Sequence, residues 1–284
     1  MKLINEMSGA EAAGIRYVLM DIDDTLTKDG KLPASSYSAL WALREAGLIV
    51  IPVTGRSAGW CDCIARQWPV DAVIGENGAF VFREERRAAG IAQAGGSSAV
   101  KGLQLLKTFF NPNAVKNDHP VLLRIRQRAF AEVPGLRDAK DQFARLFDIA
   151  LDFAEEEPAL PLSAAARVQA IALEEGAMAK ISSIHVNIWM GTYDKLSMAE
   201  NFLVSQYGWN PDDESNLKQV VFAGDSPNDE PMFRRFPLSC AVANISRYSG
   251  LIKHYPAFVS SKECGDGFAE IAQNIIRLKK GQNP

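Results

Sequence analysis

Short apolar runs recur along this chain, and three of them break off abruptly into polar clusters. Tyr17-Val18-Leu19-Met20 leads into Asp21-Ile22-Asp23-Asp24-Thr25. Leu48-Ile49-Val50-Ile51-Pro52-Val53 leads into Thr54-Gly55-Arg56-Ser57, and Val220-Val221-Phe222-Ala223 into Gly224-Asp225-Ser226-Pro227-Asn228-Asp229. Continuous apolar runs bounded by turn signals predict strands buried on both faces. Between them lie helical segments. One runs from a cap at Ser35 or Ser36 to about Ala46 and is stopped by Gly47, a second spans about 58–67, and a third opens at Lys195 and is ended by Gly208. Asp71–Ile74 reads as a further strand, followed by the Gly75-Glu76-Asn77-Gly78 turn and a strand at Ala79–Phe82. Ser239–Ala243 and Phe258–Val259 complete the strands, residues 267–279 form a closing helix, and 1–15 form a lead-in with little structure. This alternation predicts an α/β fold with a Rossmann-like parallel sheet and helices on both faces. Ligands of such sheets sit at the carboxyl ends of the strands, where all three polar clusters fall.

The period changes after Phe82. Residues 83–87 are charged, and 88–102 are rich in Ala, Gly and Ser, the composition of a mobile surface loop. Strands are expected at 121–128 and 181–189, and helices near 138–152 and 162–176. The sequence thus divides into a core, 1–84 and 191–284, and an inserted α+β domain, 85–190. Alternation in Leu123-Arg124-Ile125-Arg126-Gln127-Arg128 puts three arginines on one strand face, and alternation in 184–189 puts His185, Asn187 and Trp189 on another. Either the faces are solvated or they grip an anionic ligand.

Composition narrows the function. The chain has 284 residues, 47% of them hydrophobic, and a net charge of −3. An acidic balance argues against a general nucleic-acid binder. Cys61, Cys63, Cys240 and Cys264 have no paired C-x-x-C spacing, which argues against a zinc site or disulfide framework. No apolar run is long enough to span a bilayer, and the first residues lack a signal-peptide core, so a soluble cytoplasmic protein is expected. Oligomeric state is not readable.

The polar clusters are chemically complementary. Asp21, Asp23, Asp225 and Asp229 are carboxylates at strand ends, where their repulsion calls for a hard cation such as Mg²⁺. The Thr54 hydroxyl and the Lys195 ammonium suit phosphate oxygens. A turn at a helix start, such as Thr54-Gly55-Arg56, offers backbone amides to an anion.

Asp-Ile-Asp-Asp-Thr-Leu-Thr, Val-Thr-Gly-Arg, a Lys opening a helix and Gly-Asp-Ser-Pro-Asn-Asp, in this order, resemble the four motifs of the haloacid dehalogenase-like phosphohydrolases. An insertion between Thr54 and Lys195 is similar to the C2-type caps, and its αβ content and the Glu76-Asn77-Gly78-Ala79 turn resemble subfamily IIB. The resemblance covers the core. It implies a Mg²⁺-dependent phosphatase for a small phosphorylated metabolite, of the mannosyl-3-phosphoglycerate or sucrose-phosphate type. Asp21 would be the nucleophile and Asp23 the general acid/base. Thr54, Gly55, Arg56, Asn77, Lys195 and Asn228 would bind phosphate or substrate. Asp21, the Asp23 carbonyl and Asp225 would hold the metal, and Asp229 would support it or orient Lys195. Arg124, Arg126, Arg128, His185 and Asn187 are the cap's substrate candidates. Asp24 stands where many IIB members have Gly, which leaves the chemistry intact. A phosphomannomutase-like mutase shares this core and cap, but its Arg-Asn-Gly-Met signature is not found. A non-catalytic sugar-phosphate-binding protein is the other alternative. A dinucleotide-binding dehydrogenase is excluded, because no G-x-G-x-x-G follows a strand.

Overall fold

The structure is a computed structural model describing residues 1–86 and 104–281. The surface loop expected at 88–102 lies outside the described residues. The strands are β1 (Lys2–Leu3), β2 (Tyr17–Met20), β3 (Ile49–Pro52), β4 (Val73–Gly75), β5 (Phe80–Arg86), β6 (Gln104–Phe110), β7 (Arg137–Asp138), β8 (Asp148–Asp152), β9 (Met178–Ile181), β10 (His185–Trp189), β11 (Val220–Gly224), β12 (Cys240–Ala241) and β13 (Phe258–Val259).

Six of them form the central sheet, in the order β1-β13-β12-β11-β2-β3, and every pairing in it is parallel. The apolar runs are continuous because alternate residues feed two different cores. Val18 and Met20 join one cluster with Val50, Val221 and Phe268, while Tyr17 and Leu19 join another with Ile51, Phe222 and Phe202. Helix Ala34–Glu45 packs with the closing helix Cys264–Lys279 on the first face, and helix Lys195–Tyr207 covers the second. A parallel bridge between Val53 and Ile74 extends the sheet to β4, which continues as the antiparallel ribbon β4-β5-β6. The lead-in is more structured than expected. It pairs β1 with β13 and forms helix Gly9–Ala13, capped by Ser8.

The inserted segment builds a four-stranded antiparallel sheet, β7-β8-β10-β9, with helices Pro120–Glu132 and Leu162–Glu174 against one face. Two expectations are corrected here. Residues 121–128 are helical, not extended. Leu122, Ile125, Ala129 and Val133 are the buried positions, a helical spacing, and Leu123 is exposed. His119 caps this helix and Pro120 occupies its first turn. The helix expected near 138–152 is instead a turn followed by β8. Ile149 and Leu151 face the helices of this unit, and Asp148 and Asp152 face away. Period-two alternation in β10 is as expected, with Val186 and Ile188 on the helix side.

Candidate active site

β2, β3 and β11 are neighbours in the sheet, so their polar termini converge on one spot. A cleft of about 1130 Å³ opens above them. Asp21, Asp23, Gly55, Arg56 and Asn228 line it from the core, and Arg145, Glu155, His185 and Asn187 line it from the inserted segment.

Asp21 directly follows β2 and is 4% exposed. The Lys195 ammonium lies 3.0 Å from Asp21 Oδ1 and 3.0 Å from Asp229 Oδ1. Lys195 reaches this point because Asp194 caps the helix that Lys195 opens, accepting from the Ser197 amide at 2.8 Å. Asp229 accepts three bonds: its Oδ2 from the amides of Asp225 and Ser226, and its Oδ1 from Lys195. Asp225 accepts from Thr25 Oγ1 at 3.1 Å and from Asn244 Nδ2 at 3.1 Å. Carboxylate oxygens of Asp21, Asp225 and Asp229 all lie within 4.8 Å of one another.

Three buried acids face a single buried lysine. Burial pushes Asp21 up to about 7, with Asp229 and Asp23 adding to the rise and Lys195 opposing it. Burial, together with Asp229 and Asp21, lifts Asp225 well above the usual carboxylate range. Lys195 is held strongly protonated: burial opposes the charge, but Asp21 and Asp229 outweigh it. An all-oxygen set with excess negative charge fits a small hard divalent cation. Asp21 and Asp225 have the most lone pairs free for it, and Asp229, which already accepts from Lys195 and two amides, keeps one on Oδ1. The Asp23 side chain is outside this cluster. It accepts from Arg56 Nε at 3.0 Å and Nη2 at 2.5 Å, and the Arg56 guanidinium stacks on Trp60 at 4.7 Å.

Thr54 is wholly buried, and its Oγ1 accepts from the Arg56 amide at 3.1 Å. Asn77 sits behind it in a left-handed conformation, φ 56°. Its Nδ2 is buried without a partner, as is Asn187 Oδ1. Gly55 separates the two side chains so closely that a Cβ there would lie 2.5 Å from Asn187 Nδ2. Asn228 Oδ1 accepts from the Ser226 hydroxyl at 2.7 Å. His185 is bonded to Glu155 at 2.8 Å, and this bond is the main reason Glu155 lies below its ordinary value.

Of the cap candidates, His185 and Asn187 reach the cleft and the three arginines do not. The misread strand explains the difference. On helix Pro120–Glu132, Arg124 pairs with Glu175, Arg126 with Asp138, and Arg128 with Glu132 and Glu174. Sequence reasoning missed Arg145, Asp148 and Asn244. Asn244 lies 19 residues beyond Asp225 with no motif around it, and Arg145 falls in a segment read as a helix.

Residues 18–107 match the family model of the haloacid dehalogenase-like hydrolases. No curated protein sequence matches the chain. Among solved structures, a Thermoplasma acidophilum protein is 20% identical over 92% of this chain and 98% of its own, with a TM-score of 0.64. The sucrose-phosphatase of Synechocystis, solved with sucrose and phosphate, is 14% identical over 92% of this chain and 97% of its own, at 0.56. A subclass IIB sugar phosphatase is 13% identical over 91% of this chain and 96% of its own, at 0.54. The structural similarity establishes the fold. The sequence match to the haloacid dehalogenase-like hydrolases is carried by residues 18–107, and the chain as a whole shares the fold of a subclass IIB sugar phosphatase.

Proposed function

We propose that the protein is a Mg²⁺-dependent phosphatase acting on a small phosphorylated metabolite, a sugar phosphate, with residues 85–190 as its specificity cap. The observation that carries this reading is the buried Asp21 carboxylate, 3.0 Å from Lys195, at the floor of the cleft. An Asp21 oxygen attacks phosphorus as the ester P–O bond breaks, and Asp23 gives a proton to the leaving alkoxide. Water then attacks the aspartyl-phosphate, its proton passes to Asp23, and the bond from Asp21 to phosphorus breaks. Lys195, held by Asp229, and the Thr54 hydroxyl take the phosphoryl oxygens. Asp21, Asp225 and the Asp23 carbonyl would hold Mg²⁺, which supplies neutralisation of the charge between carboxylate and phosphate. The sugar-phosphatase neighbours support the substrate class, and so do His185, Glu155 and Asn187, which offer the roof hydrogen-bonding groups for hydroxyls. The four cysteines are free, in keeping with a cytoplasmic setting. No helix among the described residues is long and apolar enough to cross a membrane.

The test is phosphate release from sugar phosphates, phosphoglycerate glycosides and p-nitrophenyl phosphate, with Mg²⁺, with EDTA and with Asp21→Asn. Release that needs Mg²⁺ and disappears in Asp21→Asn is expected. Release that persists in EDTA or in Asp21→Asn would overturn the mechanism.

A further inference from the structure

We infer that Arg145, a residue of the cap, is a positioning residue for the phosphate-binding loop of the core. The inference rests on the phosphatase reading for its consequence, but its geometry stands apart. Three successive carbonyls of the loop are tied down. The Thr54 carbonyl accepts from the Asn77 amide at 3.0 Å and the Arg56 carbonyl from the Glu76 amide at 3.1 Å, both within the core. The middle one, Gly55, accepts from Arg145 Nη1 at 2.9 Å. Its partner therefore comes from the other unit.

Arg145 is fixed from its own side. The side chain is 1% exposed, with Asp148 Oδ1 2.9 Å from Nη1 and Asp141 Oδ1 3.1 Å from Nε. Burial opposes its charge, but Asp148 and Asp141 outweigh the penalty and hold it protonated. Glu76 forms a second tie across the same junction. Its Oε1 accepts from the Ala58 and Leu146 amides, each at 2.9 Å, and its Oε2 from Phe147 at 2.7 Å. Ala58 begins the helix that follows the phosphate loop, and Leu146 and Phe147 lead into β8.

The peptide between Gly55 and Arg56 is planar, so a carbonyl held on one side aims the amide at the other. That amide donates to Thr54 Oγ1 at 3.1 Å. With its oxygen accepting there, the Thr54 hydroxyl hydrogen is left to donate to a phosphoryl oxygen. Without Arg145 the glycine peptide has no such restraint, and glycine gives it wide freedom to turn. The cap therefore sets the direction of a core hydroxyl as well as roofing the cleft.

Arg145→Lys tests this. Lysine keeps the charge beside Asp148 but lacks the fork that reaches Gly55, Asp148 and Asp141 together. In the full chain with Mg²⁺, kcat should fall about ten- to a hundredfold, from loss of one charged hydrogen bond that orients the site. KM should stay within about threefold, because the roof groups that hold the leaving group are intact. Amide hydrogen exchange at 54–56 should quicken while the other core strands keep their protection. If Arg145→Lys does not fold, Arg145→Met with Asp148→Leu and Asp141→Asn carries the same test without a stranded buried charge. Unchanged exchange at 54–56 in a folded variant, or unchanged kcat, would overturn the inference. A wild-type chain that releases no phosphate would instead overturn the phosphatase reading, and the exchange measurement would still decide the positioning role.

Discussion

Replacing Gly78 with alanine should dislodge Lys195 from a distance. Gly78 has φ 105°, and a Cβ built there would lie 2.2 Å from the Asp194 carbonyl oxygen and 2.7 Å from its carbonyl carbon. The obstacle is backbone, and it belongs to the capping residue of the helix that Lys195 opens. The methyl group can be accommodated only if that helix start retreats, and the lysine with it. Left-handed strain for a residue with a Cβ contributes about 1–2 kcal/mol. A forced backbone shift in a packed interior contributes about 1–3 kcal/mol more. The expected loss is therefore about 2–5 kcal/mol. Gly176 provides the matching control, because its φ is 79° but nothing lies within 4 Å of a Cβ there. Gly176→Ala should lose only the strain, about 1–2 kcal/mol. Urea unfolding at constant m-value measures both losses. Phosphate release should fall much further in Gly78→Ala than in Gly176→Ala. Equal stability of the two variants, or a Gly78→Ala protein within about 0.5 kcal/mol of wild type, would refute the steric argument.

Two further outcomes concern the junction between core and cap and the cap itself. Burial, with the Asp148 charge next, pushes Glu76 from 4.5 up to about 8, against the pull of the Leu146 amide and Arg145. A carboxyl raised by folding stabilises most when protonated, so its contribution is full below about 4.5 and is lost as pH rises through about 8. Unfolding free energy should accordingly decline across that window, and Glu76→Gln should flatten the decline; a rise with pH, or an unaltered slope in the variant, would count against it. Arg126 is 40% exposed and already paired with Asp138. Arg126→Ala should leave kcat and KM within about twofold and cost at most about 1 kcal/mol, and a marked rise in KM would return this arginine to the substrate.

The core was legible because its signals are local. Each of β2, β3 and β11 is a short apolar run that stops at a charge or a glycine, and both sheet faces are covered, so no ambiguity of face arises. The candidate site residues follow, since Asp21, Thr54 and Asp225 are the residues at which those runs stop. The cap was harder for a physical reason. In 121–128 the apolar positions 121, 123 and 125 mimic a strand, while the true buried set, Leu122, Ile125, Ala129 and Val133, shows itself only over three turns. Pro120 after His119 was a start signal that outweighed the alternation. Arg145 was invisible in sequence, because its role depends on a carbonyl 90 residues earlier and on two acids in its own unit.

The strand order also has a consequence in time. β2 lies between β3, its near neighbour in sequence, and β11, and β1 closes the far edge against β13. A ribosome adding about 5–20 residues per second needs roughly 10–40 seconds to pass from Asp21 to Asp225. Throughout that interval the nascent sheet has an open edge along β2, and the acids destined for the site stand in water rather than in protein. The chain is thus committed to assembling its floor from both ends inward. Of the strands that arrive late, β11 closes the edge along β2 and brings Asp225 to the floor, and β13 pairs with β1.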